Sequence, residues 1–425
     1  MNKISGASQL ADDQVRVVIT GMGAMTPLGE SPDIYWQNLA AGISGIGPMT
    51  LCDPEGYPCQ ISGEVSSFDP GSYFEIRDAR RMARFTQLAV AAALQAVESA
   101  RYDISKDDPY RVGVLLGNGN GGFPTLEENC RILSERGGMR MSPFFFPMIL
   151  PNMAAAAVSR YTGAHGYNST ATTACAASNQ ALGEAIQVIR RGSADVMFAG
   201  GTEAGISLLG LSGFSVMRAL STRNDEPEKA SRPFDSKRDG FIPAEGSVVM
   251  VLESLEHALG RGANILAELA GFGSTSDAGH PVQPEETGAS AASAMHMALS
   301  DAKVSLDQVN YINAHGTSTP LNDTLETVAI KRVFGDLAYK IPVSSTKSMI
   351  GHSLGAAGSL DAAACVKTIM EGTIHPTINQ ENPDPDCDLD YVPNISRKAS
   401  VKVALSNAFG FGGQNACLVF REYAE

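Results

Sequence analysis

Cys175, His315 and His352 are side chains whose types could act together as nucleophile, base and hydrogen-bond donor. The stretch TTACAASNQALGEAIQVIRRG, residues 172–192, sets Cys175 among small residues and runs straight into a helical pattern. Its apolar positions Ala181, Leu182, Ala185, Ile186 and Ile189 keep the spacing of one buried helical stripe, and Gly192 closes it. Cys175 therefore stands near a helix N-terminus. There, unpaired N–H groups and the positive end of the macrodipole shift a thiol toward the nucleophilic thiolate. The steric alternative is a free cysteine serving as a small buried hydrophobe.

NAHGTSTPLND places His315 at the end of a predicted strand, and SSTKSMIGHSLGAAGSLDAA places His352 at the mouth of a small-residue helix, five residues after Lys347. Taken singly, each reads equally well as an ordinary hydrogen-bonded histidine. With the cysteine they offer either a nucleophile and base pair, or two neutral donors toward charge developing on a substrate. Spacing along the chain does not show that the three converge. The tail SNAFGFGGQNACLVF puts Gly410, Gly412 and Gly413 around Phe411. So bare a loop can present a backbone N–H to a reacting carbonyl while its ring acts as a movable stopper, or it can be a tight turn before a last strand.

The elements that must position these residues follow an α/β rhythm. VRVVITG, RVGVLLGNG, ADVMFAGG and SVVMVLE read as strands between helical stretches such as Gln87–Ser99 and Gly183–Arg191. A second set, ILAELAGFGST, VNYINAHGTST, IPVSSTKSMIGH and VKVALSNAFGFGG, begins near Asn264. VVITGMG and LAELAGFGS both carry a strand into an expected glycine turn. The pattern predicts a weak internal duplication, with halves 1–260 and 261–425 sharing one body. Nucleotide binding is disfavoured. In the frame from Gly21 and Gly23 the sixth position is Thr26, and GNGNGG, residues 117–122, has no following lysine.

The 32 Lys and Arg against 46 Asp and Glu leave a net charge of −14. That excludes general electrostatic attraction to nucleic acid or an anionic membrane, so an anionic partner needs a local basic patch. FEIRDARRMAR offers one, with Arg77, Arg80, Arg81 and Arg84 at the spacing of one helix face; a merely solvated face is the plain alternative. At 425 residues, 44% hydrophobic and 18% charged, the chain reads as globular, with about two to three domain-sized units expected from length. Seven cysteines, an odd count without a C-x-x-C pair, argue against a disulfide framework or structural zinc and fit a reducing, cytoplasmic compartment. MNKISGASQLADDQ lacks the apolar core of a signal peptide, and Asp12 with Asp13 argues against a transit peptide. No apolar run approaches the roughly 18 residues of a membrane span.

TACAAS, GGTEA, RALSTRND, SRPFD, RDGF, NAHGTSTPLND, SSTKSMIGH, GAAGS, PTIN and FGFGG, in this order through nearly the whole chain, resemble the elongating condensing enzymes of the beta-ketoacyl-acyl-carrier-protein synthase II type. The resemblance implies an α/β thiolase-like fold, two pseudo-duplicated βαβ halves in a layered αβαβα arrangement. It implies that Cys175 accepts an acyl chain from a carrier-protein thioester, while His315 and His352 donate to a malonyl thioester as it loses carbon dioxide. The carbanion then attacks the acyl-cysteine, with no metal or organic cofactor. Lys347 would support the site electrostatically, with Glu326 as its ion partner. The N–H groups of Cys175 and Phe411 would form the oxyanion hole. Asn120, Phe145, His280 and Phe409 are implied as substrate-binding residues, and Arg77, Arg80, Arg81 and Arg218 as the dock for an acidic acyl carrier protein.

In the family Phe145 reaches a partner subunit's pocket, so a homodimer, or a heterodimer with a related chain, is expected. Two positions depart from the family pattern. Asn120 stands where an apolar residue usually caps the acyl pocket, and Gln414 stands where threonine is usual. They leave room for a ketosynthase of a type II polyketide or polyene pathway. A non-catalytic chain-length-factor subunit is disfavoured by the presence of Cys175, and a hydrolase by the second histidine and the arginines.

Overall fold

The computed structural model describes residues 14–424. The leader reading of the first residues rests on positions outside the described ones. Ten strands form the main sheet: β1 (Val17–Met25), β2 (Val112–Gly117), β3 (Asn168–Ala171), β4 (Val196–Glu203), β5 (Gly246–Ser254), β6 (Ala267–Ser276), β7 (Tyr311–Asn313), β8 (Val343–Ser344), β9 (Val403–Gly410) and β10 (Gln414–Arg421). β1, β2 and β4 are buried at every position. Such continuous apolar runs suit strands covered on both faces.

The sheet order is β8-β7-β9-β10-β6-β1-β5-β4-β2-β3, and its two sides repeat one pattern. β2 runs parallel to β3 and β4, then β4–β5 and β5–β1 are antiparallel. Correspondingly, β7 runs parallel to β8 and β9, then β9–β10 and β10–β6 are antiparallel. The sides join through β1 and β6, at the pairs Val18↔Glu268 and Ile19↔Ala267.

The helices that frame the site are α1 (Arg84–Ala100), α2 (Phe123–Arg136), α3 (Met153–Thr162), α4 (Ala177–Arg190), α5 (Leu208–Val216), α6 (Ala289–Asp301), α7 (Pro320–Phe334) and α8 (Ala357–Glu371). α4 and α8 share a core with strands of both sides, including Met250 and Leu418. α1 and α3 pack outside one side and α6 and α7 outside the other, which yields the five layers αβαβα. α8 is buried from Ala357 to Ile369, as a central helix must be. Asn179 of α4 donates to the carbonyls of Ser406 and Ala416, at 3.3 and 3.1 Å, and ties the middle layer to β9 and β10.

The expected glycine turns are not turns. Gly21 and Gly23 lie inside β1, and Gly271 and Gly273 inside β6. A Cβ on Gly23 would stand 2.0 Å from the Ala92 carbonyl of α1, and one on Gly273 would stand 2.2 Å from the Ala294 carbonyl of α6. The glycines let an alanine-rich helix lie flat on its strand, by the same device on both sides. Gly200 and Gly201 lie inside β4, which continues to Glu203. Helix Gln87–Ser99 extends to Arg84–Ala100, and the helix after Cys175 ends at Arg190, before Gly192. No helix among the described residues is long and apolar enough to cross a membrane. The seven cysteines stand as free thiols.

Candidate active site

Each central helix starts from the same short turn. Ala174–Ala176 precedes α4 and Leu354–Ala356 precedes α8. Ala174 (φ +49°) and Leu354 (φ +45°) both take the left-handed conformation, which costs a residue with a Cβ about 1–2 kcal/mol and so must be imposed by packing. Cys175 sits in the first turn and His352 just before the second. His315 lies two residues beyond β7. The hairpin from β9 to β10 closes over them through Gly410–Gly413. A Cβ on Gly410 would come within 2.6 Å of the Thr173 carbonyl and 3.2 Å of the Cys175 nitrogen.

Cys175, His315, His352, Asn120, Arg218, Phe409 and Phe411 all line one cavity of about 720 Å³. The two imidazoles meet edge to face at 5.3 Å, and His315 also meets Phe409 at 5.8 Å. Phe241, absent from the expected site, packs edge-on against His352 at 5.3 Å. Burial, together with the Lys347 ammonium, holds both imidazoles well below the ordinary histidine range; His352 adds to the effect on His315. Both are therefore neutral near pH 7, each with one N–H to donate.

Burial pushes the Cys175 thiol up to about 12, although the backbone N–H groups of Phe411 and of Cys175 itself, and Lys347, pull it down. This corrects the expectation of a helix-start thiolate: desolvation outweighs the helix end, and the resting group is a thiol. A second correction concerns Lys347. Its Nζ lies 2.6 Å from Asp361 Oδ2, both side chains being almost wholly buried, and Asp361 also accepts from the Thr346 hydroxyl. Glu326 instead accepts the backbone N–H groups of His315 and Gly316, each at 2.8 Å, and the Asn407 amide at 3.1 Å. It is a backbone clamp beneath His315. Burial raises its carboxyl to about 7.

His280 does not reach the cavity. It is exposed, and its Nδ1 accepts the N–H groups of Val282 and Gln283 at 3.1 and 2.9 Å, shaping a loop whose members Val282 to Pro284 line the wall. That loop braces the Phe411 turn, since Gly412 donates to the Pro281 carbonyl and Asp277 to that of Gly413. Phe145 lies in a short helix against Phe146, away from the cavity.

The single arginine-bearing helix is also corrected. Within FEIRDARRMAR only Ile76–Ala79 is helical before α1 starts anew at Arg84. Arg84 turns inward to the buried Glu245, with Nε and Nη2 each at 2.7 Å. Arg77, Arg80 and Arg81 stay together around a shallow hollow, where the Arg81 guanidinium covers the Phe144 ring at 5.0 Å. Arg218 stands apart from them, exposed at the main cavity.

The family description Beta-ketoacyl synthase, N-terminal domain matches residues 14–258, and Beta-ketoacyl synthase, C-terminal domain matches 266–381. The chain belongs to the beta-ketoacyl synthase family. It is 49% identical to a Synechocystis protein named 3-oxoacyl-[acyl-carrier-protein] synthase 2, covering 97% of this chain and 99% of that one. A Staphylococcus aureus protein of the same name is 46% identical over 96% of this chain and 99% of its own. Among solved structures, the ishigamide ketosynthase/chain length factor superposes with TM-score 0.91 at 36% identity, covering 97% of this chain and 100% of that one. A type II polyketide ketosynthase bound to the hexaketide, in complex with its acyl-carrier protein, gives 0.89 at 36% identity, with coverage of 97% and 100%.

Within this beta-ketoacyl synthase, sequence reasoning missed Asp361, Phe241 and Glu203. Asp361 had a signal: one carboxylate inside the small-residue run SLDAA needs a buried partner. Glu203 had a similar one, closing an apolar strand. There it accepts the N–H groups of Gly119, Asn120 and Gly355, and burial raises its carboxyl to about 7.

Proposed function

We propose that the protein is a carrier-protein-dependent condensing enzyme of fatty-acid elongation, joining an acyl chain on Cys175 to malonyl-acyl-carrier protein. The observation that carries this is the single cavity walled by one thiol and two facing, neutral imidazoles. In the acylation step the Cys175 sulfur bonds to the acyl carbonyl, the carrier thiolate leaves, and the proton given up by Cys175 ends on it. The malonyl C–C bond then breaks. Carbon dioxide departs and the electron pair passes into an enolate, whose oxygen accepts the N–H groups of His315 and His352. The enolate carbon attacks the acyl-cysteine, and the tetrahedral oxyanion falls to the backbone N–H groups of Cys175 and Phe411. Collapse expels the sulfur, which takes up a proton, and leaves a beta-ketoacyl-carrier protein.

Burial keeps both imidazoles neutral, aided by Lys347, which Asp361 fixes and whose buried positive charge also steadies the developing anions. No organic cofactor or metal enters this chemistry. The acidic carrier is proposed to dock at Arg77, Arg80 and Arg81, with Arg218 at the cavity mouth. Phe145, beside the exposed Phe146 and Leu150, is proposed to meet the pocket of a second copy in a dimer.

Asn120 supports a second reading, a ketosynthase of a polyketide or polyene pathway. Its Nδ2 is buried and unpartnered at the cavity, and a saturated chain would leave it so at a cost of about 1–3 kcal/mol. Mass spectrometry of carrier-bound products, after incubation with acyl- and malonyl-carrier proteins, separates the readings by chain length and oxygen content. Cys175→Ala is expected to abolish extension; an unimpaired variant, or release of free acid without extension, would overturn the proposal.

A further inference from the structure

Glu203 ends β4 and is fully buried. Its Oε2 accepts the N–H groups of Gly119 at 2.9 Å, Asn120 at 3.2 Å and Gly355 at 3.2 Å. The first two belong to the loop after β2 that carries Asn120 into the cavity wall. The third belongs to the turn behind His352, whose Leu354 also lines the cavity and is held in the left-handed conformation. Glycines make this meeting possible. A Cβ on Gly355 would stand 2.2 Å from the Gly119 nitrogen, and one on Gly119 would stand 2.6 Å from Glu203 Oε2. One oxygen therefore fastens two segments, distant in sequence, to each other as well as to β4.

We propose that Glu203 is a positioning residue that couples the Gly119–Asn120 wall to the Leu354–Gly355 turn, so that a chain seated against Asn120 sets the pose of His352. This rests on the condensing-enzyme reading. A displacement of the wall cannot relax locally, because the shared carboxylate and the close glycine contact pass it to the turn. Decarboxylation, which uses His352, then responds to what occupies the acyl end of the cavity. Acyl loading and carbanion formation are tied together in this way.

The test separates the two halves of the reaction. Cys175 is alkylated either with iodoacetamide or with a dodecyl iodoacetamide, and carbon dioxide release from malonyl-carrier protein is measured for each adduct. In the native protein the two adducts are expected to differ by at least about fivefold, a typical coupling between sites. In Glu203→Gln the ratio is expected to fall toward one, because the neutral amide keeps a single acceptor oxygen, weaker than a carboxylate's, and turns an N–H toward the Asn120 nitrogen that Oε1 also faces. Glu203→Asp keeps the charge on a shorter stem and is expected to restore part of the ratio, which guards against a Gln variant that fails to fold. A native ratio near one overturns the inference, as does a folded Gln or Asp variant that keeps the full native ratio. Absence of any carbon dioxide release from the native protein would instead overturn the condensing-enzyme reading.

Discussion

Cys175 shows how tertiary burial reverses a local electrostatic preference. The helix start favours a thiolate, yet desolvation leaves a thiol at about 12. Its alkylation by iodoacetamide, followed on the Cys175 peptide, is expected to rise about tenfold per pH unit from about pH 7 to 10, since only the thiolate reacts. A plateau below about pH 9 would contradict this. The buried pair of Lys347 and Asp361 belongs to the same scale. Asp361→Asn leaves an ammonium without its counter-charge and is expected to cost about 3–5 kcal/mol in chemical denaturation. The double change Lys347→Met with Asp361→Leu should recover much of that loss while remaining inactive. Equal losses in the single and double variants would show that the pair's charge balance is not what matters.

Among the elements, the glycine pairs in β1 and β6 decide how closely a helix lies on its strand. Gly23→Ala and Gly273→Ala each drive a methyl into a helix carbonyl. Each is expected to destabilise by about 1–3 kcal/mol, the usual range for overpacking, and by similar amounts because the two contacts are alike. Thermal melting of both variants checks this; one neutral and one damaging change would mean that the sides are not equivalent. The repeated turns before α4 and α8 belong to the same duplication. One of them presents Cys175, the proposed nucleophile, and the other lies behind His352.

At the scale of the whole molecule, a net charge of −14 would repel an acidic carrier except where basic side chains gather. Arg77, Arg80 and Arg81 do so around Phe144. The double reversal Arg80→Glu with Arg81→Glu is expected to raise KM for carrier-bound substrate by about tenfold or more, as like-charge juxtaposition costs several kcal/mol. Self-acylation of Cys175 by a small thioester should be spared. Steady-state kinetics with the two substrates would show it, and an equal loss with both would count against docking there.

The sequence by itself determined the α/β rhythm, because strand runs and helix periods are encoded over a few adjacent residues, and its compact motifs named Cys175, His315, His352, Asn120 and Phe411 of the cavity wall only through the family they resemble, together with His280 and Phe145, which stand off it. What only the tertiary structure decided was partnership. Arg84 kept the helical spacing of its neighbours, yet it pairs with Glu245, 161 residues away, and the helix breaks before it. Glu326, expected beside Lys347, holds the backbone under His315 while Asp361 takes the lysine. Glycines that read as turns are packing surfaces, since a missing side chain means a bend or a close approach depending on what lies above it. Charge pairing and desolvation depend on which surfaces meet, and a one-dimensional pattern does not contain that.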